Sequence, residues 1–282
     1  MYKILSNGVK MPQFGLGTFL VADGKKAYDT TLEALKMGYR HIDTAQAYKN
    51  EASIGDAIKD SNIKREDLFI TTKQILHADE SIMQKAFDDS LKKLKLDYID
   101  LYLIHWPHHD EAINTKTWAF LETLYASKKV RAIGVSNFKI HHLEALLKHA
   151  TIIPMVNQVE CHVGLQQQPL RLYHQSKGII TESYGPLMKG GIFEAPFVET
   201  LKALAKSYDA SVAQMAIAWG LHNDIVMIPK SETIVRIKEN LDATNIHLSQ
   251  EDLEALNKLN RGKRVYTDPD NHPWGYTYET TS

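Results

Sequence analysis

A single cysteine, Cys161, stands in the whole chain, so no disulfide can close within it, and a reducing compartment, the cytoplasm, is expected. Charge of either sign is not in excess: 33 Lys and Arg against 34 Asp and Glu leave a formal net charge of −1 and a pI near 6.9. Such a balance gives no electrostatic reason to bind nucleic acid or an anionic membrane. No apolar stretch approaches the ~20 residues of a membrane span. The opening Met1-Tyr2-Lys3-Ile4-Leu5-Ser6-Asn7-Gly8 is too short of apolar residues for a secretory signal. Linkers and low-complexity stretches are missing too, which predicts one domain over residues 1–282. No Gly-x-Gly-x-x-Gly follows the first strand: Gly15-Leu16-Gly17-Thr18 runs into Phe19, which excludes a Rossmann dinucleotide fold.

What is present is alternation. Ser6-Asn7-Gly8 between two short apolar runs predicts a hairpin, with Asn-Gly suited to a type I′ turn. Strand-like runs follow at Phe14–Gly17, Arg40–Asp43, Leu68–Lys73, Ile99–His105, Val130–Ser136, Met155–Val159, Ile179–Tyr184 and Ile225–Ile228. Helical periodicity separates them, as in Ala27–Met37 and Ser81–Leu94. Strict strand–helix alternation argues for a parallel sheet, and eight units for its closure into a (β/α)8 barrel. Two helical segments are surplus to that count, Phe197–Tyr208 before a Ser211–His222 helix and Gln250–Leu259 after the last repeat. Ser211 with Gln214, and Ser249 with Asp252, read as helix starts. From Arg261 onward the tail, rich in Gly, Pro, Asp and aromatics, reads as a loop.

Three of the strands end in a titratable residue: Asp43, Lys73 and His105, spaced by 30 and 32 residues. That is close to one βαβ unit of about 30 residues. Successive parallel strands have their carboxyl ends on one side, so the three residues are expected at one barrel mouth, where this fold keeps its active sites.

The run Gly38-Tyr39-Arg40-His41-Ile42-Asp43-Thr44-Ala45-Gln46-Ala47-Tyr48-Lys49-Asn50-Glu51, with Thr72-Lys73 and Ile104-His105-Trp106-Pro107, resembles the aldo-keto reductase family. Further matches are Ile133–Phe138, Val156–Glu160 and Ile228–Ser231 with Arg236 and Glu239-Asn240, so the resemblance spans the first hairpin to about Leu259. It implies a barrel that reduces carbonyl compounds with NADPH. The chemistry agrees. Hydride transfer to a carbonyl carbon leaves charge on oxygen, which needs a proton donor. A free phenol, with a pKa of about 10, is a poor acid at neutral pH, and a nearby ammonium strengthens it. Tyr48 is thus expected as the acid, Lys73 and Asp43 as its support, and His105 as the group that orients the carbonyl. A structural role is the commoner outcome for any one of these residues, but not for four at adjacent strand ends.

For the cofactor, Lys230-Ser231-Glu232-Thr233-Ile234-Val235-Arg236 opens a helix after the eighth strand. Cations are unfavourable at the positive end of a helix unless an anion sits there. The resemblance assigns that anion as the 2′-phosphate of NADPH, with Lys230, Ser231, Thr233, Arg236 and Asn240 around it. A carboxylate at Glu232, where relatives often have an apolar residue, admits NADH as a secondary donor. The resemblance also places the nicotinamide on Ser136, Asn137, Gln158 and Tyr184, and the rest of the cofactor along Gly17, Thr18, Asp43, Gly185 and Leu187. Gly185 stands where relatives often carry serine, and Leu187–Gly191 reads as a loop over the pyrophosphate.

Phe19, Tyr48, His105, Trp106 and Trp274 are the candidate substrate-binding residues, with Tyr266 and Tyr276 expected instead on the side of the barrel. The stretch Trp106–Lys116 reads as a short solvated lid, which suggests an open pocket for small aldehydes, dicarbonyls or keto-sugars. Its cluster His108, His109, Asp110 and Glu111 is not read as a metal site, and no metal is expected. Two other functions compete with the reductase. One is a non-catalytic NADPH-binding redox sensor on the same barrel. The other, a metal-dependent hydrolase using His41, Asp43 and His105, is weaker: His41 is expected on the opposite strand face from Asp43, and nothing completes a cage. A monomer binding a small carbonyl substrate is the expected state.

Overall fold

The alternation of apolar runs becomes an alternation of strands and helices in the computed structural model, which describes residues 1–272. Strands β1 (Tyr2–Ile4) and β2 (Lys10–Pro12) form the expected antiparallel hairpin. Its turn is not type I′. Leu5 pairs with Val9 around Ser6-Asn7-Gly8, and of these three only Gly8 has positive φ, at 86°. Type I′ needs two left-handed residues, whereas a three-residue loop needs one, and glycine supplies it.

The main sheet contains β3 (Leu16–Gly17), β4 (His41–Asp43), β5 (Phe69–Gln74), β6 (Ile99–Ile104), β7 (Val130–Ser136), β8 (Val156–Glu160), β9 (Ile180–Tyr184) and β10 (Val226–Met227). Each strand pairs in parallel with the next in chain order. Parallel bridges Phe14–Met227 and Gly17–Lys230 then join the first strand to the last and close the barrel. Helices α1 (Lys25–Met37), α2 (Glu51–Asp60), α3 (Glu80–Leu94), α4 (Glu111–Ala126), α5 (Ile140–Leu147) and α6 (Gln168–Lys177) make the crossovers between β3 and β9. The surplus helices are α7 (Val198–Ser207), ahead of α8 (Val212–His222), and α10 (Gln250–Asn257), after α9 (Ile234–Asp242). Ser211 and Ser249 cap α8 and α10, accepting from the Gln214 and Asp252 N–H groups.

The apolar core has two parts. The larger lies between sheet and helices and includes Phe87, Trp118, Phe138, Phe197 and Trp219. The smaller fills the barrel from below: Leu5 and Met11 of the hairpin meet the inward side chains Phe69, Leu101, Leu103, Val156 and Val226. The hairpin is thus a plug at the amino end, which leaves the carboxyl end as the open mouth. His41 and Asp43, two residues apart, share the inward face as a period of two requires, which corrects their expected opposition. Cys161 is buried, and burial pushes its thiol up to about 12, so it is no nucleophile. Among the described residues no helix is long and apolar enough to cross a membrane. Among the described residues the tail, 261–272, is irregular except for one 3-10 turn over Pro269–Asn271, and Trp274 and Tyr276 lie outside the described residues.

Helices α2 and α3 approach so closely that Gly55 has no room for a side chain: a Cβ there would lie 2.3 Å from the Lys93 carbonyl oxygen. Helix propensity alone favours alanine over glycine by about 1 kcal/mol, but the obstacle is backbone and cannot turn aside. Gly55→Ala is expected to destabilise the fold by ~1–3 kcal/mol, read as a lower urea midpoint.

Candidate active site

Parallel register sets β4, β5 and β6 side by side, Asp43 level with Thr71 and Lys73 with Leu103. The Lys73 ammonium, with 0% of its side chain exposed, donates to Asp43 Oδ1 at 2.7 Å, the Thr44 carbonyl at 2.8 Å and the Tyr48 hydroxyl at 3.3 Å. An ammonium has three hydrogens, so this set accounts for all of them. Burial raises the Asp43 carboxyl above its ordinary range while the Lys73 charge opposes the rise; at 2.7 Å the ion pair keeps Asp43 the charged partner. Tyr48 ends the 3-10 turn Gln46–Tyr48 that follows β4. Gln46 Nε2 anchors that turn on the Ala86 carbonyl, Ser90 and Tyr102, and Asn50 ties it to the carbonyls of Thr18 and Val21.

His105 falls one residue beyond β6, and its ring meets Tyr48 edge-on at 5.5 Å. Burial first, then the charge on Lys73 and the proximity of His272, holds its pKa well below the ordinary value. It is therefore a neutral imidazole at pH 7. Phe19 tilts against Tyr48 at 5.1 Å, and Trp106 lies 6.5 Å from His105. The expected lid is shorter than Trp106–Lys116, because Glu111 already begins α4, capped by Asp110 through the Ala112 N–H.

The cofactor candidates gather in two places. Beside His105, Asn137 sits in left-handed backbone (φ 68°) and donates to the His105 carbonyl and to Ser136 Oγ. Ser136 Oγ donates to the Gln158 carbonyl, and the Tyr184 hydroxyl donates to Asn137 Oδ1 at 2.7 Å. Thr18 Oγ1 donates to the Asp43 carbonyl at 2.8 Å. At the other place, the Gly17–Lys230 bridge brings the first strand beside the basic helix start. Thr233 is the residue before α9, whose first turn carries no acid, and Ser231 Oγ accepts from the Thr233 N–H. Lys230 pairs with Glu232 at 2.6 Å, Arg236 is exposed, and Asn240 is buried in the body of the helix. The Leu187–Gly191 stretch, expected as a loop, lies mostly in a 3-10 segment, Met188–Phe193, that is kinked at left-handed Lys189 and Gly190.

The sequence reading missed a strap across the mouth. Glu160, fully buried at the end of β8, accepts from Arg264, from the backbone N–H groups of Val265 and Tyr266, and from His162 Nε2. Farther along, Lys139 holds Asp268 and Asp270 at 2.6 Å each. His141, His142 and Asp270 converge, but His142 Nδ1 accepts from the Lys139 N–H, which leaves its proton on Nε2 facing Asp270. That proton and the Lys139 ammonium make the group a tether for the strap. The strap lays His272 flat on Trp106 at 4.0 Å and sets Tyr266 edge-on against Tyr184 at 5.2 Å. Tyr266 therefore lies at the mouth, not on the barrel side as expected. The missed signal was Glu160 itself, a fourth titratable residue ending a buried strand.

A buried lysine–carboxylate–tyrosine cluster beside a neutral histidine, at the mouth of a parallel barrel with a basic helix start nearby, defines an oxidoreductase-type site rather than a metal-dependent hydrolase. The comparisons agree. The model of the Aldo/keto reductase family matches residues 13–261. Glyoxal reductase of Bacillus subtilis (strain 168) is 48% identical over 268 residues, 94% of this chain and 95% of that protein. The solved structure of MGS-M4, an aldo-keto reductase from a Medee basin deep-sea metagenome library, superimposes with a TM-score of 0.91 at 45% identity, covering 96% of this chain and 99% of that one. A mutant of Gox0644 in complex with NADPH gives 0.88 at 35% identity, covering 96% and 98%. The chain belongs to the aldo/keto reductase family.

The strap also explains the glycine at 185. Gly185 has φ 63°, and a Cβ there would lie 2.4 Å from the Tyr266 ring. Gly185→Ser is expected to lower stability by ~1–3 kcal/mol. In a double-mutant cycle of thermal unfolding, Tyr266→Ala is expected to recover part of that loss.

Proposed function

We propose that this enzyme reduces small aldehydes and α-dicarbonyls to alcohols with NADPH, Tyr48 supplying the proton. The observation that carries the reading is the Lys73 ammonium, desolvated and aimed at both Asp43 and the Tyr48 hydroxyl. A positive charge 3.3 Å from the phenol oxygen favours phenolate and so makes Tyr48 a stronger acid. Asp43 keeps that ammonium charged and fixed. His105, being neutral, has one N–H to donate, which suits it to hold a substrate carbonyl oxygen without competing for the proton. Phe19, Trp106 and His272 offer flat aromatic walls that suit small carbonyl compounds. A relative named glyoxal reductase, similar over nearly its whole length, supports the dicarbonyl class, with keto-sugars as a further candidate.

The residues present fit the nicotinamide cofactor. Tyr184 offers an aromatic ring next to the amide and hydroxyl groups of Asn137, Ser136 and Gln158. The first turn of α9 combines a positive dipole end, the exposed cation Arg236 and no acid, which suits a 2′-phosphate. Glu232 is engaged by Lys230, so its carboxylate is partly neutralised toward that phosphate. NADPH supplies the hydride when bound. Gly17, Thr18, Gly185 and Leu187 are assigned the part of the cofactor between the two places. We place this activity in one barrel domain, a cytoplasmic monomer in keeping with its single buried thiol.

Tyr48→Phe is expected to cut kcat for aldehyde reduction by at least ~10², with NADPH binding, followed by cofactor fluorescence, unchanged. A mutant as fast as wild type would remove Tyr48 as the acid. Tight NADPH binding by a wild type with no turnover on an aldehyde panel would favour the sensor. Arg236→Leu is expected to weaken NADPH binding about tenfold, roughly 1.4 kcal/mol, and to leave NADH nearly untouched.

A further inference from the structure

Glu182 lies in the middle of β9, fully buried, and has no part in the chemistry above. It is nevertheless wired to it. Gln158 Nε2 donates one hydrogen to Asp43 Oδ2 at 2.7 Å and the other to Glu182 Oε2 at 2.8 Å. Both amide hydrogens are committed, so Gln158 is a bridge between two carboxyls and keeps only its side-chain Oε1 for a ligand. The second Glu182 oxygen, Oε1, has no hydrogen-bond partner among the described residues and stands 3.5 Å from His41 Nε2. Burial pushes His41 down to about 3, so the ring is neutral and brings Glu182 no charge. The charges that face Glu182 are therefore Asp43 on β4 and Lys73 on β5, and of the two carboxyls the Lys73 ammonium touches only Asp43. Two carboxyls share one ammonium in a space without water-facing surface. One of them must hold a proton, and the ion pair assigns the charge to Asp43.

We propose that Glu182 is a positioning residue for the proton donor: a neutral carboxyl that fixes Gln158 and, through it, holds the Asp43 carboxylate under Lys73. The proposal rests on the reading of Tyr48 as acid with Lys73 and Asp43 as its support. Burial, and next the charge on Asp43, raise the Glu182 carboxyl to about 8, so its neutral form spans the physiological range. Above that pH a second anion appears beside Asp43. It offsets the Lys73 field at Tyr48 and repels Asp43 across the Gln158 bridge, so carbonyl reduction acquires an alkaline decline that belongs to Glu182.

Two variants separate the roles. Glu182→Gln keeps an acceptor for Gln158 and cannot ionise; Glu182→Leu loses the acceptor. In cofactor-free protein, unfolding stability of wild type relative to Glu182→Gln reports the proton directly. The unfolded carboxyl ionises from about 4.5 and the folded one only near 8, so the unfolded state binds fewer protons between them. Wild type is expected to lose stability relative to the variant as pH rises through that window, and the difference to level off above it. In turnover, the ratio of kcat at alkaline to neutral pH is expected to rise about threefold or more in Glu182→Gln. Glu182→Leu is expected to lower kcat at neutral pH about tenfold with an unchanged KM for the carbonyl, and Glu182→Gln to restore most of it. A stability difference independent of pH would show that Glu182 is not held neutral. An alkaline-to-neutral kcat ratio identical to wild type would show that it does not act on the donor; either result overturns the proposal. If Glu182→Leu fails to fold, Glu182→Gln still decides. If Tyr48→Phe is as fast as wild type, the acid assignment itself has failed, whatever the Glu182 variants do.

Discussion

The barrel mouth is organised by one buried ammonium. Lys73 has no contact with solvent, and an unpaired cation at that depth would cost more than the fold can offset. Its three donations therefore dictate the surroundings: a carboxylate at the end of β4, the Thr44 carbonyl just beyond, and a hydroxyl carried on the turn after it. Each requirement reaches outward. The turn that carries Tyr48 needs Gln46 anchored on α3 and β6, and Asn50 anchored on the loop after β3. The same charge helps keep His105 neutral. The geometry around Tyr48 is thus the solution to a desolvation problem, and the proposed chemistry and the packing at this mouth share one set of contacts.

The polar interior continues below that cluster. Gln158, Glu182, His41 and Thr71 carry hydrogen-bonding groups from the Asp43 carboxylate down toward the apolar plug formed by the hairpin. In a water-poor space a polar chain of this kind persists only when protons and charges balance. On the opposite side the mouth is crossed by the strap. Glu160 receives four donors from the strap and from His162, which makes it the counterpart of Lys73: a buried charge whose partners determine where a segment without regular structure lies. The strap brings Tyr266 to Tyr184 and His272 to Trp106, and so gives the open end of the barrel part of its wall.

The strands and their closure were legible because buried parallel strands read as continuous apolar runs, and their spacing repeats. Asp43, Lys73 and His105 were legible for a related reason, as titratable residues where such runs stop. The same rule, applied within a strand, points to Glu182, and applied to β8 it points to Glu160. The tail was not legible. Tyr266 and His272 have no periodicity around them, and their places follow from contacts with Glu160 and Lys139, more than a hundred residues earlier in the chain. The hairpin turn was misread because Asn-Gly suits both a two-residue and a three-residue loop, and strand register, not the dipeptide, chooses between them.

By itself the sequence determined the class of fold, the direction of the strands, and which residues end them, because each depends on local periodicity and on the repeat length. It also determined that three ionisable groups would share one face, since parallel strands leave no other arrangement. Tertiary structure alone decided the desolvation of His105, the Gln158 contacts that join Asp43 to Glu182, and the path of the strap. These depend on depth of burial and on distances of a few ångströms between segments far apart in the chain, and neither quantity is written in the order of residues.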